Sequence, residues 1–388
     1  MKDEVRIGII GVGNMGSSHA TRIARGDIKG MRLVAVADKK QSRRDWAKEN
    51  LPADVAIYEN ETQLMDDPNV NAVLIAVPHY DHPGFAIRAM EKGLDVMSEK
   101  PAGVYTKQVR EEIAVAEKHP EVTFAMMFNQ RTNPLYIKMH ELVTSGQYGA
   151  IKRVNWIITD WYRTQYYYDS GDWRATWNGE GGGVLLNQCP HQLDLLQWIC
   201  GLPKKVQAFM YEGKWHNIEV EDDVTCFMEF PNGATGVFIT STGDAPGDNR
   251  FEVDLEKAQI IAEHDKLYVY ELDENERKYC FEATDGFKKP SGHEVSFELS
   301  KDNPQHNGVL QAFADHILHG APLVAEGKEG IKGLTLSNAM HLSAWLKQPV
   351  EIPFDEGLFL KLLNEKRAKS VKKEHVVEST NADMDSTY

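Results

Sequence analysis

Along the first third of the chain, short apolar runs alternate with helical stretches. Residues 6–10 form a β-rich run that ends at a glycine cluster, and 14–25 read as helix. LVAVA at 33–37 is a second apolar strand with Asp38 at its end, and a helix over 42–50 follows with Ser42 as its cap. NAVLIAV at 71–77 is a strand stopped by Pro78. Residues 83–92 are helical and end at Gly93. A strand at 94–97, a helix at 106–119 and a strand at 123–128 continue the series. Such alternation predicts an α/β fold with a parallel, doubly wound sheet.

The pattern changes after about residue 129. A helix over 135–145 is followed by a long strand over 151–162 and an aromatic-rich loop up to Trp177. Gly181-Gly182-Gly183 leads into an apolar stretch ending near Gly201. From 206 to about 297, strand-like runs are separated by turn signals such as Pro231-Asn232-Gly233 and Pro246-Gly247. Successive strands without intervening helices predict an α+β region with an antiparallel sheet. Late helices are expected over 307–318 and 330–346. Beyond about Lys366 the chain is polar and expected to be mobile, apart from Val376-Val377. No internal repeat is evident.

With 388 residues, 42% hydrophobic and 26% charged, the chain has room for two domains and an ordinary soluble balance. Its formal net charge of −15 argues against nucleic acid and against anionic membrane surfaces as partners. The four cysteines, Cys189, Cys200, Cys226 and Cys280, have no zinc-like spacing and read as reduced thiols. The first residues run straight into an apolar strand without a signal-peptide pattern, and no apolar run approaches the roughly 20 residues that span a bilayer. The expectation is a cytoplasmic protein.

Candidate chemistry begins at Gly11-Val12-Gly13-Asn14-Met15-Gly16, which has a strand before it, a helix after it and an acid, Asp38, at the end of the next strand. Gly11 suits the tight turn, Gly13 the approach of a pyrophosphate, and Gly16 close packing of helix on strand. The helix start offers N–H groups to phosphates, and Asp38 can accept from the ribose hydroxyls. The plainer alternative is a glycine turn with Asp38 as a surface acid. Asp38 favours NAD over NADP, while Lys39, Lys40, Arg43 and Arg44 either soften that preference or form a solvated face.

Glu99-Lys100-Pro101 follows the strand at 94–97, at the end of the sheet where ligands of such folds bind. A lysine there suits polarising an oxygen near the reactive end of a nicotinamide; a solvated Glu-Lys pair is the alternative. Asn187, His191 and Asp194 share a face if one helix carries them, but Pro190 either kinks that helix or starts it. His191 suits proton transfer, or is a buried histidine with Asp194 as partner. No metal-ligand cluster is evident, so no metal is expected.

These motifs resemble those of the glucose–fructose oxidoreductase/inositol dehydrogenase family (Gfo/Idh/MocA). The resemblance extends through Ala76-Val-Pro-His-Tyr-Asp-His82, Glu221-Asp222-Asp223 and Phe313…Gly320-Ala-Pro322, and covers the chain to about residue 355. It implies a Rossmann domain over 1–128, a substrate-binding and oligomerisation domain with an open, mostly antiparallel sheet over 129–355, and a C-terminal helix and polar tail over 356–388. It implies NAD, or NADP, held by Gly11, Gly13, Asn14, Met15, Gly16, Asp38, Ala76, Pro78, Glu99 and Lys100. Lys100 is the implied catalytic or orienting lysine and His191 the acid/base. Asn187 stands where many members carry an aspartate; an amide lacks that charge but still bonds hydroxyls. Substrate contacts are expected from Arg131, Trp161, Arg163, Asn187, His191 and Asp194, with the aromatics up to Trp177 stacking on a sugar ring. Trp215-His216 is a further candidate, and His82 is expected to support a loop. The implied activity is NAD(P)-dependent hydride transfer at a ring hydroxyl of a sugar, glycoside or cyclic polyol, by a homodimer or homotetramer. A redox-assisted glycoside hydrolase and a non-catalytic nucleotide sensor are the alternatives.

Overall fold

The computed structural model describes residues 3–373 and 376–377. Six parallel strands form the first sheet: β1 (Val5–Ile10), β2 (Met31–Ala37), β3 (Ala56–Tyr58), β4 (Ala72–Ile75), β5 (Asp95–Ser98) and β6 (Phe124–Met126), in the order β3-β2-β1-β4-β5-β6. Helices α1 (Asn14–Ala24), α2 (Gln41–Asn50), α3 (Glu61–Met65), α4 (His82–Glu91) and α5 (Thr106–Ala116) connect them. Strands β4, β5 and β6 are buried along their whole length, as a sheet covered on both faces requires. The order reverses between β1 and β4, so the ends of these two strands open a crevice there. The short β3 and α3 carry too little apolar pattern to be seen in the sequence. Helix α2 begins at Gln41 with Lys40 as its cap and no side-chain capping bond, so Ser42 is not the cap.

The second sheet has nine strands: β7 (Ile151–Ile158), β8 (Lys205–Glu212), β9 (Glu221–Glu229), β10 (Thr235–Ser241), β11 (Asn249–Leu255), β12 (Ala258–Glu263), β13 (Lys266–Leu272), β14 (Gly292–Val295) and β15 (Val350–Glu351). Its order is β14-β13-β12-β11-β7-β10-β9-β8-β15, antiparallel except where β7 runs beside β10. Along β9, Val224, Cys226 and Met228 are buried while Thr225 and Phe227 face outward, the period of two of a sheet covered on one side. Helices α6 (Pro134–Thr144), α7 (Gln165–Asp169), α8 (Pro190–Cys200), α9 (Glu276–Glu282), α10 (Gln305–His319), α11 (Gly330–Leu346) and α12 (Glu356–Arg367) complete the described chain. Helix α9 interrupts the stretch expected to be strands alone.

Helix α10 returns to the first sheet. Its Val309, Leu310, Phe313, Ala314 and Leu318 share one core with Val5, Ile7 and Ile9 of β1 and Ala20 and Ile23 of α1. Residue order and spatial layer therefore part company after the second sheet.

The stretch from 366 onward was expected to be mobile, yet its described part is pinned. Ser370 Oγ and Val371 N donate to Glu219 at 2.6 Å, Lys373 Nζ donates to the carbonyl of Tyr168, and Val377 N donates to Asp169 O at 3.0 Å. Glu219, just before β9, and the carbonyls of Tyr168 and Asp169 on α7 supply acceptors that a composition-based reading cannot see. The remainder of the polar tail, 374–375 and 378–388, lies outside the described residues.

Candidate active site

At the end of β1, Gly11 turns with φ +89°, and a Cβ there would lie 2.4 Å from Ala76 O, just past β4. At Gly16 a Cβ would lie 1.9 Å from Gly11 O. Around Gly13, the cap of α1, a Cβ would meet nothing within 4 Å. The first turn of α1, with Asn14 and Met15, has neither an acidic residue nor a side-chain cap, so the positive end of the helix is not neutralised locally. This cradle fits a dinucleotide pyrophosphate.

Asp38 braces the cradle: its carboxylate accepts from Val12 N and Lys40 N, each at 2.9 Å. A carboxylate has about four acceptor positions, so two remain for ribose hydroxyls. Of the four cations nearby, Arg43 Nε donates to Val12 O at 2.6 Å and Arg44 Nη1 to Asp38 O at 2.8 Å. Those two guanidinium groups fold back on the loop. Pro78 caps the short helical turn after Ala76, and His82 reaches Val77 O at 2.7 Å and Pro101 O at 2.8 Å, joining the loops after β4 and β5.

Glu99 is engaged within the protein. Its carboxylate is buried against His19 of α1, with Nε2 at 2.7 Å, and also accepts from Lys100 N at 3.1 Å. Burial alone would raise its pKa, but the His19 hydrogen bond and the charges of His19, His306 and Lys100 bring it down to about 2. Glu99 thus anchors the end of β5 to α1 and fixes where Lys100 starts. Lys100 Nζ donates to Asn187 O at 2.9 Å. Burial lowers its pKa, Arg174 and Arg163 add to that, and Glu99 and Glu180 oppose it.

Asn187 lies in a wide helical turn, Val184–Gln188, and Pro190 starts α8 at its first position. Asn187, His191 and Asp194 are therefore not three positions of one regular helix. Glu221 accepts from Gly183 N at 2.8 Å and Leu185 N at 3.0 Å, which holds the glycine triplet and this turn to β9. Asn187 Nδ2 donates to the Glu180 carboxylate and, at 3.4 Å, to Tyr167 Oη. Tyr167 Oη also accepts from Arg174 at 3.0 Å and Gln188 at 3.1 Å. His191 is buried edge-on to Phe128, with centroids 6.3 Å apart. Burial first, then the charge of Lys100, pushes its protonation well below the usual range.

Arg131 and Asp194, expected at the substrate, instead hold each other. Two hydrogen bonds of 2.7 and 2.8 Å join them, Arg131 reaches Glu329 at 2.9 Å, and both side chains are buried. Arg131 sits in the turn Asn129–Thr132 after β6, so this pair clamps the end of the first sheet to α8. Asp194→Ala leaves a buried guanidinium with half its partners, and a loss of about 3–5 kcal/mol in urea unfolding is expected. A changed KM at unchanged stability would instead return the pair to the substrate.

The Arg163 guanidinium lies 5.5 Å from the Trp161 ring and 5.2 Å from that of Tyr167, so these residues do gather beside Asn187. His216 is engaged by Asp222 at 2.9 Å and Arg163 O at 2.8 Å, and shapes the loop. Glu180 and Tyr167 escaped the sequence reading as individual site residues. An acid directly before a glycine triplet was the available signal for the first.

Residues 5–127 match the oxidoreductase family with an NAD-binding Rossmann fold, and residues 136–261 match the GFO/IDH/MocA C-terminal domain. A myo-inositol 2-dehydrogenase of Thermotoga maritima is 25% identical over 358 residues, which span 90% of this chain and 98% of that one. Among solved structures, the WlbA dehydrogenase of Bordetella pertussis in complex with NADH and UDP-GlcNAcA superposes with a TM-score of 0.76 at 21% identity, over 91% of this chain and 99% of that one. Levoglucosan dehydrogenase with NADH and levoglucosan gives 0.74 at 18% identity, over 90% and 100%. The two structures share the fold, and the cradle at Gly11–Gly16 is what an NAD-binding member of that fold needs. From the glycine turn to the second sheet, this chain belongs to the GFO/IDH/MocA family of NAD-binding oxidoreductases.

Proposed function

We propose that the protein is an NAD-dependent dehydrogenase that moves hydride between nicotinamide and a ring carbon bearing a hydroxyl, on a sugar, glycoside or inositol-like polyol. The carrying observation is Lys100, projected from the end of β5 onto the carbonyl of Asn187, with His191 close enough for their charges to interact. Bound NAD supplies the hydride acceptor. Lys100 presents a positive charge to the oxygen that becomes alkoxide-like, and His191, kept neutral, takes the hydroxyl proton. In the reverse direction the same groups return the proton to a ketone. Trp161, Arg163 and Tyr167 offer ring faces and donors suited to a polyhydroxylated substrate. Asp38 is the reason to expect NAD in preference to NADP.

The relatives support this reading: the Thermotoga maritima protein is a myo-inositol dehydrogenase, and one of the similar structures holds levoglucosan. The test is to supply NAD⁺, and separately NADP⁺, with inositols, aldoses and alkyl glucosides while following the absorbance of reduced cofactor. Reduction with one substrate group supports the proposal. Aglycone release from glycosides without net cofactor reduction would mark a hydrolase, and tight NADH binding with no turnover in either direction a sensor.

The open face of the second sheet is part of the same proposal. Phe209, Phe227, Tyr268 and Tyr270 are each more than 40% exposed there. Apolar rows of this size call for a second copy of the chain. A dimer or tetramer by light scattering at micromolar concentration is the expected result; a monomer counts against it. A cytoplasmic setting fits the four free cysteines, and no helix among the described residues is long and apolar enough to cross a membrane.

A further inference from the structure

Glu180 directly precedes the glycine triplet and is 1% exposed. Its carboxylate accepts from Ala175 N at 2.5 Å and from the side-chain amide of Asn187. An amide has a donor end and an acceptor end, so a carboxylate on Nδ2 decides which way round Asn187 sits. With Nδ2 committed to Glu180 and Tyr167, no hydrogen bond from a described residue reaches Asn187 Oδ1. The acceptor end of this half-buried side chain is left for a ligand hydroxyl, while its backbone carbonyl holds Lys100.

We propose that Glu180 is a positioning residue for the hydride-transfer reaction: it orients the Asn187 amide and supplies, next to Lys100, the negative charge that Asn187 lacks. This rests on the dehydrogenase reading above. The charged and titratable groups around Glu180 come from every side: Arg174 in its own loop, Lys100 after β5, Tyr168 on α7, Glu221 on β9 and Lys373 in the C-terminal segment. His79, whose Nδ1 lies 3.1 Å from Glu180 O, completes the set. Burial lifts the pKa of Glu180 to about 6, against Arg174 and the two hydrogen bonds, which lower it. The carboxylate is therefore charged above about pH 6 and neutral below, and turnover should fall on that acid side.

The test compares wild type, Glu180→Gln, Glu180→Ala and the double variant Glu180→Gln/Asn187→Asp in NAD⁺ reduction from pH 5 to 9, with NADH affinity and Tm measured alongside. Glu180→Gln keeps the size of the side chain and one acceptor oxygen for Asn187, but its NH2 then faces Ala175 N and that bond is lost; Tm should fall somewhat, while KM and NADH affinity stay near wild type. Its kcat should fall about 10- to 100-fold, the weight of one hydrogen bond to a charged group, and the acid limb near pH 6 should disappear. Glu180→Ala should raise KM as well, because the amide is then free to turn. Asn187→Asp should restore most of the kcat lost in Glu180→Gln, which a merely structural defect would not allow. A Glu180→Gln enzyme with wild-type kcat and acid limb overturns the inference, as does a loss of rate that only tracks lost NADH affinity or lost folded protein. A wild type inactive on the whole substrate panel overturns the dehydrogenase reading first and this inference with it.

Discussion

Lys100→Ala is expected to reduce kcat/KM by about 100- to 1,000-fold, the range associated with losing one group that stabilises a developing oxyanion. The side chain stands at the end of β5, where the sheet directs ligands, and its ammonium meets Asn187 O at 2.9 Å. Its lowered pKa comes first from burial, so the charge is costly to keep there and is retained by Glu99 and Glu180. Removing it relieves that cost and leaves one half-exposed carbonyl to find water, so Tm should move little. NADH affinity should also hold, because the backbone N–H groups offered to the pyrophosphate belong to the turn Gly11–Gly16 and are untouched by the substitution. Steady-state kinetics with a fluorescence titration of NADH separate the two effects. A variant that keeps its turnover would place the chemistry elsewhere and remove the main support for the proposed function.

Gly16→Ala should act the other way, on the cofactor before the chemistry. Its methyl would lie 1.9 Å from Gly11 O and 3.4 Å from the Ala76 side chain. Gly11 is itself confined by Ala76 O, so the turn has nowhere to move without opening the contact between β1 and β4. Overpacking of this kind costs about 1–3 kcal/mol. Displacement of the N–H groups that face the phosphates turns that into roughly 10- to 100-fold weaker NADH binding by calorimetry. Unchanged affinity would mean that the dinucleotide does not use this turn.

Apart from the short β3, the first sheet was legible because its parallel strands are closed apolar runs bracketed by turn residues, and the glycine motif named its ligand. The second sheet was legible as a class but not in its order, since β7 pairs with β10 and β11 across long stretches of chain. Among the site residues, Lys100 and Asn187 are joined through the Asn187 backbone carbonyl, a contact that any residue type at 187 could make and that the motifs did not foretell. Arg131 and Asp194 misled because a charged residue near a cleft and a charged residue in a clamp have the same spelling. Only the fold shows that each is the partner of the other. The pinned C-terminal segment was invisible for the same reason, its contacts reaching residues about 150 to 200 positions away, whereas Glu180 had only its place before the glycine triplet to mark it.

Helix α10 bears on how the protein is made. The apolar residues of β1 are covered in part by Val309, Leu310, Phe313 and Leu318. When the first sheet leaves the ribosome, that cover is still some 180 residues from being synthesised. The dinucleotide-binding third must wait, with an oily flank uncovered, until the second sheet has been translated and the chain doubles back. Truncation after β6 therefore yields a polypeptide prone to stick to itself or to chaperones, and a nascent chain should acquire NAD only near the end of translation.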